Sequence, residues 1–177
     1  METMKTIATR QSCRAYTGEQ ITEKELRTIL EAANAAPVGF GKYDEVKLTV
    51  VQNKDAIAKI NRLVSECFGN VEIVPTYGAP TIILVSAKIT EDPQNAVAYC
   101  NAACIVENMA LAATDLGLGS VYVFSVSAGL AAKADYYKEL KIPDGFMPVS
   151  AIAIGKSKEP IIERALTVSK IATEYLS

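Results

Sequence analysis

The stretch QNAVAYCNAACIVENMALAATDLGLG, residues 94–119, constrains the fold more than any other part of the chain. It consists of helix formers, opens after Asp92-Pro93, a capping residue followed by proline at the first helical position, and ends on the stop Gly117-Leu118-Gly119. The pattern predicts a helix of about 24 residues, small and apolar on nearly every side, which calls for burial nearly all round at the centre of the fold. The flanking elements fit a sheet beside it. Thr22-Glu23-Lys24-Glu25 is a capping box with Ile21 and Leu26 as a hydrophobic staple, predicting a helix from residue 22 to Pro37. Val46–Val51 reads as a strand, and Asn53 caps a helix that carries Ile57, Ile60 and Val64 on one face. Residues 80–86 form a continuous apolar run of the kind buried on both sheet faces. Further strands are predicted over 120–124 and 147–154, with Ser127 capping a helix that reaches Leu140 and a turn at Pro143-Asp144-Gly145. Beyond Pro160 lies an amphipathic tail. Helices on both sides of a sheet follow, in one domain, as the length of 177 residues allows.

Charged residues make up only 21% of the chain and apolar ones 50%, an excess that either a large subunit interface or an ordinary α/β protein with a large core explains. Eighteen Lys and Arg against 20 Asp and Glu leave a net charge of −2 without a basic cluster, which argues against nucleic acid as a partner. The absence of histidine removes Ser-His-Asp and Cys-His catalysis, HExxH zinc sites and the two-His iron triad. Cysteines at 13, 67, 100 and 104 form no CxxC pair, so reduced, mostly buried thiols are expected, with Cys100 and Cys104 as small core residues on one helix face. No metal site is expected. No apolar stretch is expected to reach the roughly 20 residues that span a bilayer, and METMKTIATR lacks a signal peptide's apolar run, so the expected location is the cytoplasm, away from membranes.

Two phosphate-binding signatures fail on inspection. Gly155-Lys156-Ser157 has Ser150 where a P-loop needs its first glycine and Pro160 where the helix should run, and Gly117-Leu118-Gly119 follows a helix rather than a strand. Arg10-Gln11-Ser12-Cys13-Arg14 is the stronger candidate, because two guanidiniums and a hydroxyl within five residues supply forked, charge-assisted donors suited to an anion. A helical backbone puts Arg10 and Arg14 on one face; an extended one aligns Arg10, Ser12 and Arg14. The alternative is a solvated helix end. Ala35-Ala36-Pro37-Val38-Gly39-Phe40-Gly41 is a helix end breaking into a small-residue loop, which is either a plain connection or a backbone that approaches a flat ligand.

Together these stretches resemble the nitroreductase family of FMN-dependent oxidoreductases over essentially the whole chain. The matching parts are RQSCRAY at 10–16, Ala35-Ala36-Pro37, ENMALAA at 107–113 with LGLGS at 116–120, and the late strand Ile152-Ala153-Ile154-Gly155. The resemblance implies an α+β, three-layer α/β/α sandwich with a mixed, largely antiparallel sheet around a long central helix. It implies a homodimer with FMN at the interface: a domain spanning 1–160, and a segment 161–177 packing on the partner subunit. Hydride from NAD(P)H would pass to flavin N5 and on to a nitroaromatic, quinone or similar acceptor in a ping-pong cycle. Alternatives are a flavin storage or sensory dimer, or a deiodinating or flavin-fragmenting relative.

By position, Arg10 and Ser12 would hold the phosphate, with Gln11 between them also at the cofactor, Arg14 would lie near the flavin N1/O2 edge, Pro37, Val38 and Gly39 on the loop side, and the backbone of Phe124 and Ser125 on the N5 side. Arg164 is the first candidate for a late basic residue at the phosphate and Lys156 the second. Because the flavin carries the redox chemistry, no side chain is nominated as a catalytic acid or base. After Ala-Pro the family commonly has Ser, Asn and Gln-Pro-Trp, whereas this chain has Val38-Gly39-Phe40-Gly41-Lys42-Tyr43-Asp44, which leaves that loop with backbone donors only. The insertions that shape a substrate pocket in the family are missing, so the resemblance carries no substrate identity.

Overall fold

The computed structural model of the chain describes residues 2–69, 72–89 and 95–176. Strands β1 (Val46–Val51), β2 (Thr81–Lys88), β3 (Gly119–Tyr122) and β4 (Phe146–Gly155) form one sheet in the order β1-β2-β4-β3. The helices are α1 (Thr3–Thr9), α2 (Glu23–Asn34), α3 (Lys54–Cys67), α4 (Asn95–Asp115) and α5 (Phe124–Ala131). β2 is buried except at its last residue, as a continuous apolar run requires. Its Ile82 and Leu84 meet Ile60 and Val64 of α3 and Leu130 of α5, while Ile83 and Val85 meet Ile29 of α2 and Met109 of α4. Each such side chain, fully buried, contributes about 1.5–3 kcal/mol. The result is the three-layer α/β/α sandwich. The named strands pair antiparallel throughout, and among the described residues the parallel pairing is confined to a bridge between Ser12 and Ser120.

Local signals act where they were read. The Thr22 hydroxyl accepts the Glu25 N–H at 3.2 Å, and Glu25 Oε2 accepts from the Thr22 N–H at 2.6 Å and from the Thr22 hydroxyl at 2.8 Å; the two bonds to the carboxylate hold it below the usual carboxylate range. Asn53 Oδ1 accepts from Ala56 N at 3.0 Å at the start of α3. α4 stops in a Schellman motif: Leu118 N donates to Ala113 O at 2.8 Å and Gly117 N to Thr114 O at 3.0 Å, with Gly117 at φ +75°. Asp92-Pro93, the predicted start of this helix, lies outside the described residues.

Four expectations are corrected. α2 ends at Asn34 rather than Pro37, because proline forces the preceding residue out of the helical region. β3 ends at Tyr122, and α5 begins at Phe124 with Val123 at its N-cap; Ser127 lies inside it, its hydroxyl donating to Phe124 O at 2.9 Å, and the helix stops at Ala131 well before Leu140. The body of α5 lies close on α3, where an added Cβ on Gly129 would stand 2.9 Å from Val64 Cγ1. α4, finally, is not buried all round. Tyr99, Cys100, Ala103, Cys104 and Glu107 form an exposed stripe at helical spacing, so Cys100 and Cys104 are surface thiols, as is Cys67, and only Cys13 is buried. By length and composition Ala96–Asp115 also suffices to cross a bilayer, against expectation, because alanine and cysteine raise its hydropathy without adding bulk. Its other side packs on the sheet and on α2.

After α1 the chain extends along β3. Cys13 N donates to Ser120 O at 2.9 Å, Thr17 N to Lys156 O at 3.0 Å and Lys158 N to Ala15 O at 3.0 Å. Two glycines make this close approach possible. An added Cβ on Gly119 would lie 2.7 Å from Cys13 Sγ, and one on Gly155 would lie 2.6 Å from Pro80 Cδ and 3.0 Å from Tyr16 Cδ1. The buried Tyr16 hydroxyl stands 3.0 Å from Cys13 O and 3.2 Å from Ala153 O, bridging segment and sheet. Burial, and then the neighbouring Cys13, push its phenol well above the ordinary value of 10.0.

Gly155→Ala should therefore cost about 1–3 kcal/mol by overpacking, read as a lowered urea midpoint. Tyr16→Phe should cost about 1–3 kcal/mol near neutrality, because buried carbonyls lose their donor. The raised phenol contributes stability that is complete below pH 10.0, its ordinary value, and is lost as pH rises beyond it. Urea midpoints measured from pH 7 upward should thus fall less steeply for Tyr16→Phe than for the parent, the remaining slope coming from Tyr136 and Tyr137, whose phenols burial also raises.

Candidate functional site

The backbone of the Arg10–Arg14 stretch is extended where it bonds to β3, so alternate side chains separate: Cys13 turns inward while Ser12 and Arg14 are exposed. Arg10 lies at the C-cap of α1, and its guanidinium reaches Glu107 of α4, Nε to Oε1 3.5 Å. Gln11 Nε2 donates to Pro160 O at 3.3 Å. Arg14 leans the other way, its guanidinium carbon 5.9 Å from the centre of the Tyr77 ring.

The two late cations separate clearly. Arg164 comes back to the N-terminal segment: its backbone N–H donates to Ala8 O and its Nη2 to Ile7 O, both at 3.1 Å. These are carbonyls of the last turn of α1, where a cation also complements the helix dipole. Arg164 thus lies within a turn of Arg10, held there together with Gln11's bond to Pro160. Lys156, beyond the end of β4, pairs instead with the Glu19 carboxylate. No helix follows Gly155-Lys156-Ser157, which accords with rejection of a P-loop.

Phe124 and Ser125 begin α5 just after the strand whose Ser120 carbonyl holds Cys13; Phe124 is exposed and Ser125 half-buried. No side chain caps α5, so its first N–H groups are not satisfied by a capping oxygen. Pro37, Val38 and Gly39 lie elsewhere, across α4: Gly39 N donates to Asn101 Oδ1 at 2.9 Å, and an added Cβ there would stand 2.8 Å from Val97 Cγ1. Gly39's N–H, expected as a ligand donor, is therefore engaged within the chain. The loop's tip, Phe40, is 85% exposed at φ +58°. One chain accordingly gathers Arg10, Gln11, Ser12 and Arg164, sets Arg14 beside Tyr77, and keeps the 37–39 loop apart.

Glu107, Asn101 and Tyr77 are the neighbours that residue-by-residue reading did not single out. Glu107 and Asn101 carry a usable signal, since each is a polar residue on an otherwise apolar helix. Tyr77 carries a weaker one in its turn with Gly78.

The sequence profile described as the nitroreductase family matches residues 7–156. A protein of Archaeoglobus fulgidus that bears the provisional name NADH dehydrogenase/NAD(P)H nitroreductase is 30% identical over 163 residues, covering 89% of this chain and 87% of that protein. Among solved structures, a nitroreductase of Bacteroides fragilis with bound FMN superposes with a TM-score of 0.84 at 27% identity, over 99% of this chain and 100% of the other. A nitroreductase of Desulfitobacterium hafniense with bound FMN gives 0.85 at 24% identity, again over 99% and 100%, and speaks for the fold. With the profile spanning both the arginine segment and the sheet it is bonded to, the chain belongs to the nitroreductase family.

Proposed function

We propose that the chain is the subunit of a homodimeric FMN-dependent oxidoreductase that draws on NAD(P)H and reduces a nitroaromatic, quinone or similar acceptor by alternating half-reactions. The observation that carries this reading is the donor set along β3: Arg10, exposed Ser12 and exposed Arg14 on an anchored backbone, with Arg164 brought to the same segment. Its chemistry suits a phosphate monoester at one end and an electron-rich ring edge at the other. FMN solved with the Bacteroides fragilis relative supports the choice of ligand. When bound, FMN supplies the electron transfer that a chain without histidine does not supply from its side chains.

The residues then hold and tune. Arg10, Ser12 and Arg164 bind the phosphate, with Gln11 tying the chain at Pro160 beside them, and Lys156 stays with Glu19. Arg14 faces the pyrimidine edge, where a fixed cation favours the reduced, more negative form. The uncapped N–H groups of Phe124 and Ser125 face the N5 side.

The dimer rests on two unpartnered apolar surfaces. One is the α4 stripe with Tyr99, Cys100, Ala103 and Cys104; the other is the tail, which among the described residues has no helix or strand and exposes Ile162, Val168, Ile171 and Tyr175. We assign the stripe to the contact between copies and the tail, 161–177, to the surface of the partner. We assign the 37–39 loop of one copy to the arginine segment of the other. We place the enzyme in the cytoplasm, where its four free cysteines stay reduced.

Purified protein is expected to be yellow, or to become so with FMN, and to run as a dimer; protein that stays colourless with FMN would overturn the reading. Arg10→Ala should weaken FMN binding by about 1.5–3 kcal/mol, roughly tenfold to 150-fold, in a fluorescence titration. Arg14→Ala should chiefly lower the flavin midpoint potential. Bleaching by NADH or NADPH distinguishes an enzyme from a storage protein, which only dithionite would reduce.

A further inference from the structure

The connection from α3 to β2 contains two successive residues in the left-handed region, Tyr77 at φ +55° and Gly78 at φ +77°. Glycine adopts that conformation freely, whereas a bulky side chain is strained there. The turn is nonetheless firmly held. Tyr77 N donates to Val74 O at 2.9 Å, Ala79 N to Thr76 O at 3.0 Å, and Thr76 N to Asn61 Oδ1 of α3 at 3.2 Å, with Thr76 fully buried. What this strained position delivers is a ring, 40% exposed, facing the Arg14 guanidinium at 5.9 Å.

Arg14 differs in this from its neighbours. Arg10 and Lys156 are matched by the carboxylates of Glu107 and Glu19, while among the described residues Arg14 forms no ion pair. A carboxylate would orient the guanidinium but cancel its charge. An aromatic face orients it through the ring quadrupole and leaves the net charge whole. Arg14 and Tyr77 also both act on the buried Tyr16 phenol, the first lowering and the second raising its affinity for the proton, so the three groups form one electrostatic cluster.

We propose that Tyr77 is a positioning residue of the flavin site, its ring holding the Arg14 guanidinium in place with the charge undiminished for the flavin's pyrimidine edge. This rests on the FMN reading above. It assigns a role to the α3–β2 connection, from which sequence reading nominated no residue.

The test is a double-mutant cycle of Tyr77→Asn and Arg14→Ala in the FMN-loaded dimer, with Tyr77→Phe as the conservative variant. Asparagine tolerates the left-handed backbone and removes the ring; phenylalanine keeps the ring and removes the hydroxyl. Tyr77→Asn should raise the FMN Kd about two- to fivefold and move the midpoint potential downward, as Arg14→Ala does. Tyr77→Phe should keep both at the parent values, and in the Arg14→Ala background Tyr77→Asn should add nothing. If the parent binds FMN yet Tyr77→Asn changes neither quantity, or changes both equally with and without Arg14, this inference fails alone. A parent protein that takes up no FMN overturns it together with the flavin reading.

Discussion

The docking of residues 10–17 along the edge of β3 governs both the fold and the site. It depends on space at two points, because Gly119 lies under Cys13 and Gly155 lies under Tyr16 and Pro80, at separations no side chain would allow. With those gaps filled by the segment itself, the backbone bonds from Cys13 to Ser120 and from Thr17 to Lys156 close, and the buried Tyr16 hydroxyl lies within bonding distance of the Cys13 and Ala153 carbonyls. The inward side chains hold the strand down. The outward ones, Ser12 and Arg14, are then available for chemistry at no further cost to packing.

Cation placement follows from the same geometry. Each basic group near the segment has a different kind of neighbour: a carboxylate for Arg10, helix-end carbonyls for Arg164, an aromatic face for Arg14. These neighbours differ in how much charge they leave for an incoming anion. A carboxylate neutralises, a carbonyl partly offsets, and a ring leaves the charge intact. The segment therefore presents graded positive potential along its length rather than a uniform patch, with the least compensated charge at Arg14 and the most compensated at Arg10.

Much of this was legible wherever local chemistry decides the outcome. Thr22 with Glu25, Asn53 with Ala56 and the Gly117-Leu118-Gly119 stop each carry their hydrogen-bond partners within a few residues, and the fold class followed from the strands and helices those signals delimit. The donors at 10–14 were readable as a cluster because they are adjacent in sequence. What could not be read depends on distant partners. Val123 gives no capping signal for the start of α5, and the close approach of Gly129 to Val64 joins segments far apart in the chain. Cys100 and Cys104 share the apolar character of the core face of α4, and periodicity says that they lie together without saying that the sheet is on the other side. The Glu107, Asn101 and Tyr77 contacts join segments far apart in the chain.

The Schellman stop of α4 has a consequence for how this family can vary in length. Glu107 on the helix fixes one end of the arginine segment and Ser120, just past the stop, fixes the other, so a single helix–turn–strand unit acts as a gauge for that segment. Inserting or deleting one residue between them would swing the carboxylate by about 100° around the helix axis relative to the strand. Evolutionary drift in chain length is therefore expected to gather in the loops on the far side of the sheet and to spare this short interval.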